Sequence, residues 1–244
     1  MAEDDNSFSL FDDLTADELA LEKKRQQCIR EKKIERLQQL SSDPGQRTIQ
    51  ENRLVFSHTR HDRFQVPQKT TQLLTPEECN SILDTCRTMV DWTTQRHSAF
   101  PTTDIAIKET PLAYLGDMIK QRLFPMLGDH FGFDACRDLA FRDIFIVKYS
   151  ASSQRGLKAH TDGCLMSFNV LLSHPNDFDG GGTWFKSIDS VVQLAQGDCV
   201  YHDANIVHQG IDITRGERYI LVGFVDTVDT ITKDARAIRD RERK

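Results

Sequence analysis

Apolar residues fall at helical spacing through much of the first half of the chain and gather into short dense runs through the second. Thr15 with Glu18 three positions on is a helix-start pairing, and it predicts a helix from Ala16 to about Leu40. That stretch is rich in Lys, Arg, Glu and Gln, and its apolar side is sparse: Leu21, Cys28, Ile34 and Leu37. An exposed helix is expected, stopped by "SSDPGQ". The poor heptad pattern puts a coiled coil or other partner contact through residues 16–40 second. "LTPEECNSILDTCRTMV" repeats the start device with Thr75, Pro76 and Glu78, and it sets Cys79, Ile82, Leu83, Cys86 and Val90 on one face. "TPLAYLGDMIKQRLFPML" does so with Thr110 and Pro111. Leu112, Leu115, Ile119 and Leu123 share a face there, and Pro125 is expected to kink or end the helix. Between Val55 and Leu74 the pattern is mixed, and short strands are expected.

From Phe141 the texture changes. "FRDIFIVKY", "CLMSFNVLL", "GGTWF", "VVQLAQGDCVYH" and "RYILVGFV" are β-rich runs separated by Gly, Asp, Asn and Ser. Short strands after two helices predict a mainly β fold with flanking helices (α+β), a sandwich or open barrel buttressed by the two N-terminal helices. Three segments result. Residues 1–45 hold an acidic start, expected to be disordered over 1–13, and the charged helix. Residues 46–228 form the main domain, and 229–244 a charged C-terminal tail.

Composition narrows the classes. Apolar residues make up 39% of the 244, enough for a sizeable core, and the net charge of −6 is spread along the chain. Nucleic acid is not the expected partner, since a phosphate binder needs a basic surface. No apolar stretch is long enough to span a bilayer. The start "MAEDDNSFSLFDD" lacks the order of a signal peptide, so a soluble, cytoplasmic protein is expected. The six cysteines form no CxxC pair and are expected to be free thiols.

The chemistry starts in "LKAHTDGCLMSFNVLL", where His160 and Asp162 stand at i and i+2 before an apolar run. In a strand those positions share a face and can meet one ion. A histidine from another strand, His202 or His208, would complete a two-histidine, one-carboxylate triad of the kind that holds non-haem Fe(II) with open positions. HxD alone equally describes a hydrogen-bonded polar pair at a strand end. "VHQGIDITRGERYILVGFV" adds weight, because Arg218 lies ten residues after His208 and opens an apolar strand. A buried arginine is costly unless an anion meets it, and a carboxylate of a small diacid fits its fork. Gly210 and Gly216 are expected to turn the His208 and Arg218 strands side by side. Arg215, in that turn, is expected in solvent.

With these residues assembled, the chain from about Thr102 to Thr227 resembles the 2-oxoglutarate- and Fe(II)-dependent dioxygenases of the prolyl 4-hydroxylase type. It looks closest to the catalytic domain of the procollagen-lysine hydroxylases. The pieces that carry the resemblance are "PTTDI", "FIVKYS", "HTD" with "SFNVLL", "FDGGGTWF" and "HQGIDITRGERYILVGFVD". The resemblance implies a double-stranded β-helix, or jelly roll. It implies His160, Asp162 and His208 as iron ligands, and Arg218 as the receptor of the far carboxylate of 2-oxoglutarate. Tyr149, Ser167 and Asn169 would line the co-substrate pocket; Asp104 matches the family but is given no role, and His202 ranks below His208. The implied activity is hydroxylation of an amino-acid side chain using O2, with succinate and CO2 released and ascorbate as a supporting reductant. The expected substrate is a peptide or protein. A free amino acid or other small molecule is the alternative, and a metal-binding jelly roll without oxidation the third reading. Segments 93–109 and 150–159 are expected to shape the substrate cleft. Collagen in the secretory pathway is an unexpected substrate without a signal peptide.

Overall fold

The computed structural model describes residues 15–242, so the acidic start at 1–13 lies outside the described residues. Two compact units divide the chain, one ending at Arg47 and the other starting at Thr48. In the first, α1 (Ala16–Gln38) begins where the sequence places it. The Thr15 amide donates to Glu18 Oε2 at 2.8 Å, and the Glu18 amide donates to Thr15 Oγ1 at 3.4 Å. None of its residues is buried, as the thin apolar stripe implies.

The second unit opens with α2 (Ile49–Arg63), which corrects the expectation of strands after Val55. Its start signal was present, since Thr48 and Glu51 form the same reciprocal cap. The periodicity was not, because only Asn52 and Phe56 of this helix are buried. Phe56 anchors it by packing against Phe64, Phe131 and Phe133 at ring separations of 5.4, 5.8 and 5.6 Å. A short strand, β1 (Gln68–Thr70), follows. Then comes α3 (Pro76–Thr88), capped by Thr75 and burying Cys79, Ile82, Leu83 and Cys86. Val90 falls beyond its end and is 86% exposed.

After β2 (Asp104–Ala106), the Thr110–Pro111 device closes a turn and not a helix start: the Leu112 amide donates to Thr110 Oγ1 at 3.2 Å. The helix α4 runs from Leu115 to Phe131, straight past Pro125. The missing N–H and ring crowding of Pro125 are outweighed by a continuous inward face of Leu115, Ile119, Leu123, Leu127 and Phe131. The helix ends on Gly132 in the left-handed conformation (φ 79°).

The β-rich half supplies β3 (Leu139–Ser150), β4 (Leu157–His160), β5 (Met166–Leu171), β6 (Phe178–Gly180), β7 (Thr183–Phe185), β8 (Ser190–Val192), β9 (Cys199–Asp203), β10 (His208–Gly210) and β11 (Ile213–Thr227). Gly180, Gly181 and Gly182 all take positive φ between β6 and β7, which only glycine does readily. All the pairings are antiparallel. One sheet has the order β1-β9-β5-β11-β3-β2, with β6 on the start of β11, and the other β4-β10-β7-β8. The fold is a jelly roll with flanking helices. The strands of His208 and Arg218 are therefore not side by side, despite the glycines between them. They belong to different sheets, and Arg218 pairs instead with Tyr149 on β3. The charge of residues 229–244 predicts a tail, but their described part belongs to a helix, α5 (Val228–Glu242).

The larger sheet has two unlike faces. Phe168, Val170, Leu221 and Val225 turn toward the helices and join Ile82, Leu115 and Phe124 in one apolar core. Phe145, Val147, Tyr149, Leu171 and Ile220 turn the other way into a smaller cluster.

Candidate metal centre

His160 ends β4 and His208 starts β10, and the two are direct partners in the antiparallel ladder. Their rings lie 4.3 Å apart. Asp162 does not continue the strand. It stands in the loop after β4, held by its amide, which donates to the Ala204 carbonyl at 3.0 Å. Strand spacing predicts that the two side chains share a face, and they do meet, but by a different geometry: a strand end presents the histidine, and a loop folds the carboxylate back. His160 Nε2 lies 3.4 Å from Asp162 Oδ1, and His208 Nε2 lies 3.5 Å from Asp162 Oδ2. One ligand atom from each of the three falls within 4.8 Å of the others.

The ring orientations suit an ion. His160 Nδ1 lies 2.8 Å from the Lys158 carbonyl and His208 Nδ1 lies 3.0 Å from the Ile206 carbonyl. A carbonyl only accepts, so each Nδ1 carries the proton and each Nε2 lone pair faces the cavity. Burial pushes His208 down to about 3, with His202 adding to the effect. Burial opposes the charge on Asp162. The nearby His160, His208 and His202 rings outweigh it and bring the carboxyl down to about 2. For His160 burial is likewise opposed by Asp162 and the Lys158 carbonyl, and the net shift is upward. Two imidazoles and a carboxylate on one side of an open cavity make a facial donor set that fits Fe(II).

That cavity, of about 420 Å³, also receives Arg218. Arg218 is 3% exposed, and no carboxylate pairs with it among the described residues. Its guanidinium carbon sits 5.6 Å from the centre of the Tyr149 ring, and burial lowers its pKa. Ser167 and Asn169 line the same cavity from β5, and Asn169 Oδ1 is buried without a partner. His202 lines it too, with its ring 4.6 Å from His208 and its Nδ1 2.9 Å from the Asp203 carbonyl. Asp104 is elsewhere, bound by Arg96 and Thr102. Arg215 is exposed and paired with Asp179.

Of the two expected cleft segments, 93–109 supplies Arg96, His97, Phe100 and Thr102, while 150–159 supplies only Leu157. Phe145 and Phe224 were not foreseen as lining residues. Their signal was in the register: Phe224 shares the alternation of Arg218, and Phe145 that of Tyr149.

A frame behind the site fixes the loop between β9 and β10. Arg60 of α2 grips Asp203 with Nε at 2.9 Å from Oδ2 and a second bond from its Nη2 to Oδ1. The Asp203 side chain is 1% exposed, so this two-pronged pair is worth more than a surface one.

No protein-family model matches the chain. The multifunctional procollagen lysine hydroxylase and glycosyltransferase LH3 of Rattus norvegicus is 30% identical over 176 residues, covering 63% of this chain and 22% of that protein. The chain thus spans about a fifth of the length of that curated relative. A PKHD-type hydroxylase of Maricaulis maris is 31% identical over 119 residues, covering 45% of this chain and 53% of its own. Among solved structures, the viral collagen prolyl hydroxylase vCPH of Paramecium Bursaria Chlorella virus-1, in its 2OG complex, superposes with a TM-score of 0.51 at 16% identity. That match covers 66% of this chain and 96% of the other. In sequence the chain resembles the 2-oxoglutarate- and Fe(II)-dependent dioxygenases of the prolyl 4-hydroxylase type, and it has their jelly-roll fold.

Proposed function

We propose that the protein is an Fe(II)- and 2-oxoglutarate-dependent dioxygenase that hydroxylates an amino-acid side chain in a peptide or protein. The observation that carries this is Arg218, a buried guanidinium without a carboxylate among the described residues, facing the cavity that holds the His160–Asp162–His208 cluster. A plain metal-binding module has no use for that arginine, and leaving it unmatched is expensive. A diacid reaching from the triad to Arg218 would supply the missing anion.

In this reading His160, Asp162 and His208 hold the metal, and the bound metal supplies the activation of dioxygen. Arg218 receives the distal carboxylate of 2-oxoglutarate, and the Tyr149 ring beneath keeps the guanidinium in place. Asn169 and Ser167 bound the co-substrate from β5, and the orphaned Asn169 Oδ1 is available to accept a hydrogen bond from a bound molecule. The apolar walls keep bulk water from the reacting end. The relatives named as lysine and collagen prolyl hydroxylases favour a peptide or protein over a free amino acid. Six unpaired cysteines agree with a reducing, cytoplasmic setting, and no helix of the described residues is long and apolar enough to cross a membrane.

Anaerobic titration of 2-oxoglutarate into the Fe(II)-loaded protein tests this. Arg218→Ala is expected to weaken 2-oxoglutarate by more than about tenfold, since charge-assisted hydrogen bonds are worth about 1.5–3 kcal/mol each. Metal affinity should be unchanged, and Arg218→Lys should fall between. Wild-type protein should release succinate in aerobic assays with ascorbate. Unaltered 2-oxoglutarate affinity in Arg218→Ala would remove the co-substrate reading.

A further inference from the structure

The cavity extends beyond the part assigned above to the co-substrate. Along the inner side of β11, Phe224 lies six residues from Arg218, about 20 Å at a rise of about 3.3 Å per residue. There Phe224 and Phe145 meet edge to face at 5.3 Å, and His97 closes a third side at 4.7 Å from Phe145 and 6.0 Å from Phe224. Phe100 reaches over His160 with ring centres 4.9 Å apart, so this aromatic recess opens onto the triad.

The charge around the recess is committed elsewhere. Arg96 lies in its wall, the guanidinium carbon 5.1 Å over the Phe145 ring. The two nearest carboxylates both bind it: Nη1 donates to Asp104 Oδ1 at 2.5 Å and Nη2 to Asp143 Oδ2 at 2.6 Å. Thr102 Oγ1 donates to the other Asp104 oxygen at 2.6 Å, and the Ile144 amide donates to the other Asp143 oxygen at 2.9 Å. Neither aspartate lines the cavity, and among the described lining residues the sole carboxylate is Asp162 of the triad.

We propose that the recess of Phe145, Phe224, His97 and Phe100 receives an uncharged, apolar side chain of the prime substrate and rejects the ammonium of lysine. The inference rests on the metal and co-substrate reading above and narrows its substrate class. It departs from what the names of the lysine hydroxylases would suggest for this chain. An ammonium entering the recess would lose its water and find no carboxylate. The Phe145 face that could have attracted it already carries the Arg96 guanidinium, and two cations there repel. An apolar side chain pays neither cost and buries its surface against the four aromatic rings.

The test uses the full chain loaded with Mn(II) and 2-oxoglutarate under argon, so that no turnover occurs. Three capped amino acids serve as probes: N-acetyl-leucine, N-acetyl-lysine and N-acetyl-glutamate methylamides. The quantity read is the relaxation that Mn(II) imposes on the side-chain protons of each probe. Saturable relaxation of the leucine probe, at least about fivefold stronger than that of the lysine and glutamate probes, is expected. Equal or stronger relaxation of the lysine probe overturns the proposal, and so does no relaxation of any probe. Arg96→Gln releases both Asp104 and Asp143 and removes the cation from the Phe145 face, and the preference for leucine over lysine should narrow by about fivefold, the size of a partly exposed ion pair. An unchanged preference in folded Arg96→Gln overturns the part assigned to charge, and if that variant does not fold, the wild-type comparison still decides. Failure of Mn(II) to bind at all, read from water-proton relaxation, strikes the metal reading itself and takes this inference with it.

Discussion

The two faces of the larger sheet are made by the same strands and do opposite work. Toward the helices, Leu221 and Val225 of β11 and Phe168 and Val170 of β5 are 0–1% exposed and pack in the apolar core. Toward the smaller sheet, the intervening residues include Arg218 on β11 and Ser167 and Asn169 on β5, all buried and polar. One face satisfies every local rule of a core. The other keeps, among the described residues, a guanidinium without a carboxylate and an amide oxygen without a donor, at a cost in stability. A buried face that breaks the packing rules while its reverse obeys them points to a ligand.

The sharpest break in that comparison comes from the triad beside the polar face. Alanine at His160, Asp162 or His208 should lower Fe(II) affinity by more than about a hundredfold, beyond the about 10–100-fold expected for residues that only support a ligand. Thermal unfolding of the metal-free protein should barely move, and calorimetric metal titration reads the loss. His202→Ala should keep most of the affinity. A result with the two histidines reversed would reassign the third ligand.

The apolar face should fail differently. A Cβ on Gly223 would stand 2.2 Å from the Phe168 ring, too close for any real contact. Gly223→Ala is therefore expected to cost about 1–3 kcal/mol by urea unfolding, the usual penalty for overpacking. At a temperature where it is folded, its 2-oxoglutarate affinity should be that of the wild type.

The polar face should show the reverse trade. Asn169→Leu removes an amide whose oxygen has no partner, and stability should hold or rise by up to about 1 kcal/mol. 2-Oxoglutarate turnover should fall. A destabilised Asn169→Leu would mean that the amide serves the fold. The smallest effect is expected from deleting residues 1–45, which end close to the boundary at Arg47 and of which no described residue lines the cavity. Succinate release by the shortened chain should be comparable to that of the full one.

Much of this contrast could be read along the chain, for reasons that also mark where reading stops. The cap and stripe of α3 and the dense runs after Phe141 announce themselves because burial imposes a period. The helix α2 was missed because it is held by one aromatic anchor and no stripe. The Thr110 device misled because the same Thr–Pro chemistry caps turns as well as helices. His160, Asp162, His208 and Arg218 were legible as residue types at suggestive spacings. Their placement on two sheets was not, since nothing in the sequence between β9 and β11 marks a change of sheet: β10 lies between them in sequence but belongs to the other sheet. The loop carrying Arg96, His97 and Phe100 has no period at all, and only the fold shows which way it leans.

The histidine geometry has a kinetic consequence. Each ring of the triad, and His202 beside them, is already fixed by a bond from Nδ1 to a main-chain carbonyl, at 2.8, 3.0 and 2.9 Å for His160, His208 and His202. No ring has to flip or exchange tautomer before an ion arrives. Loading should then run at the pace set by the ion shedding its water and reaching the cavity, giving one exponential phase in stopped-flow mixing whose rate grows in proportion to metal concentration.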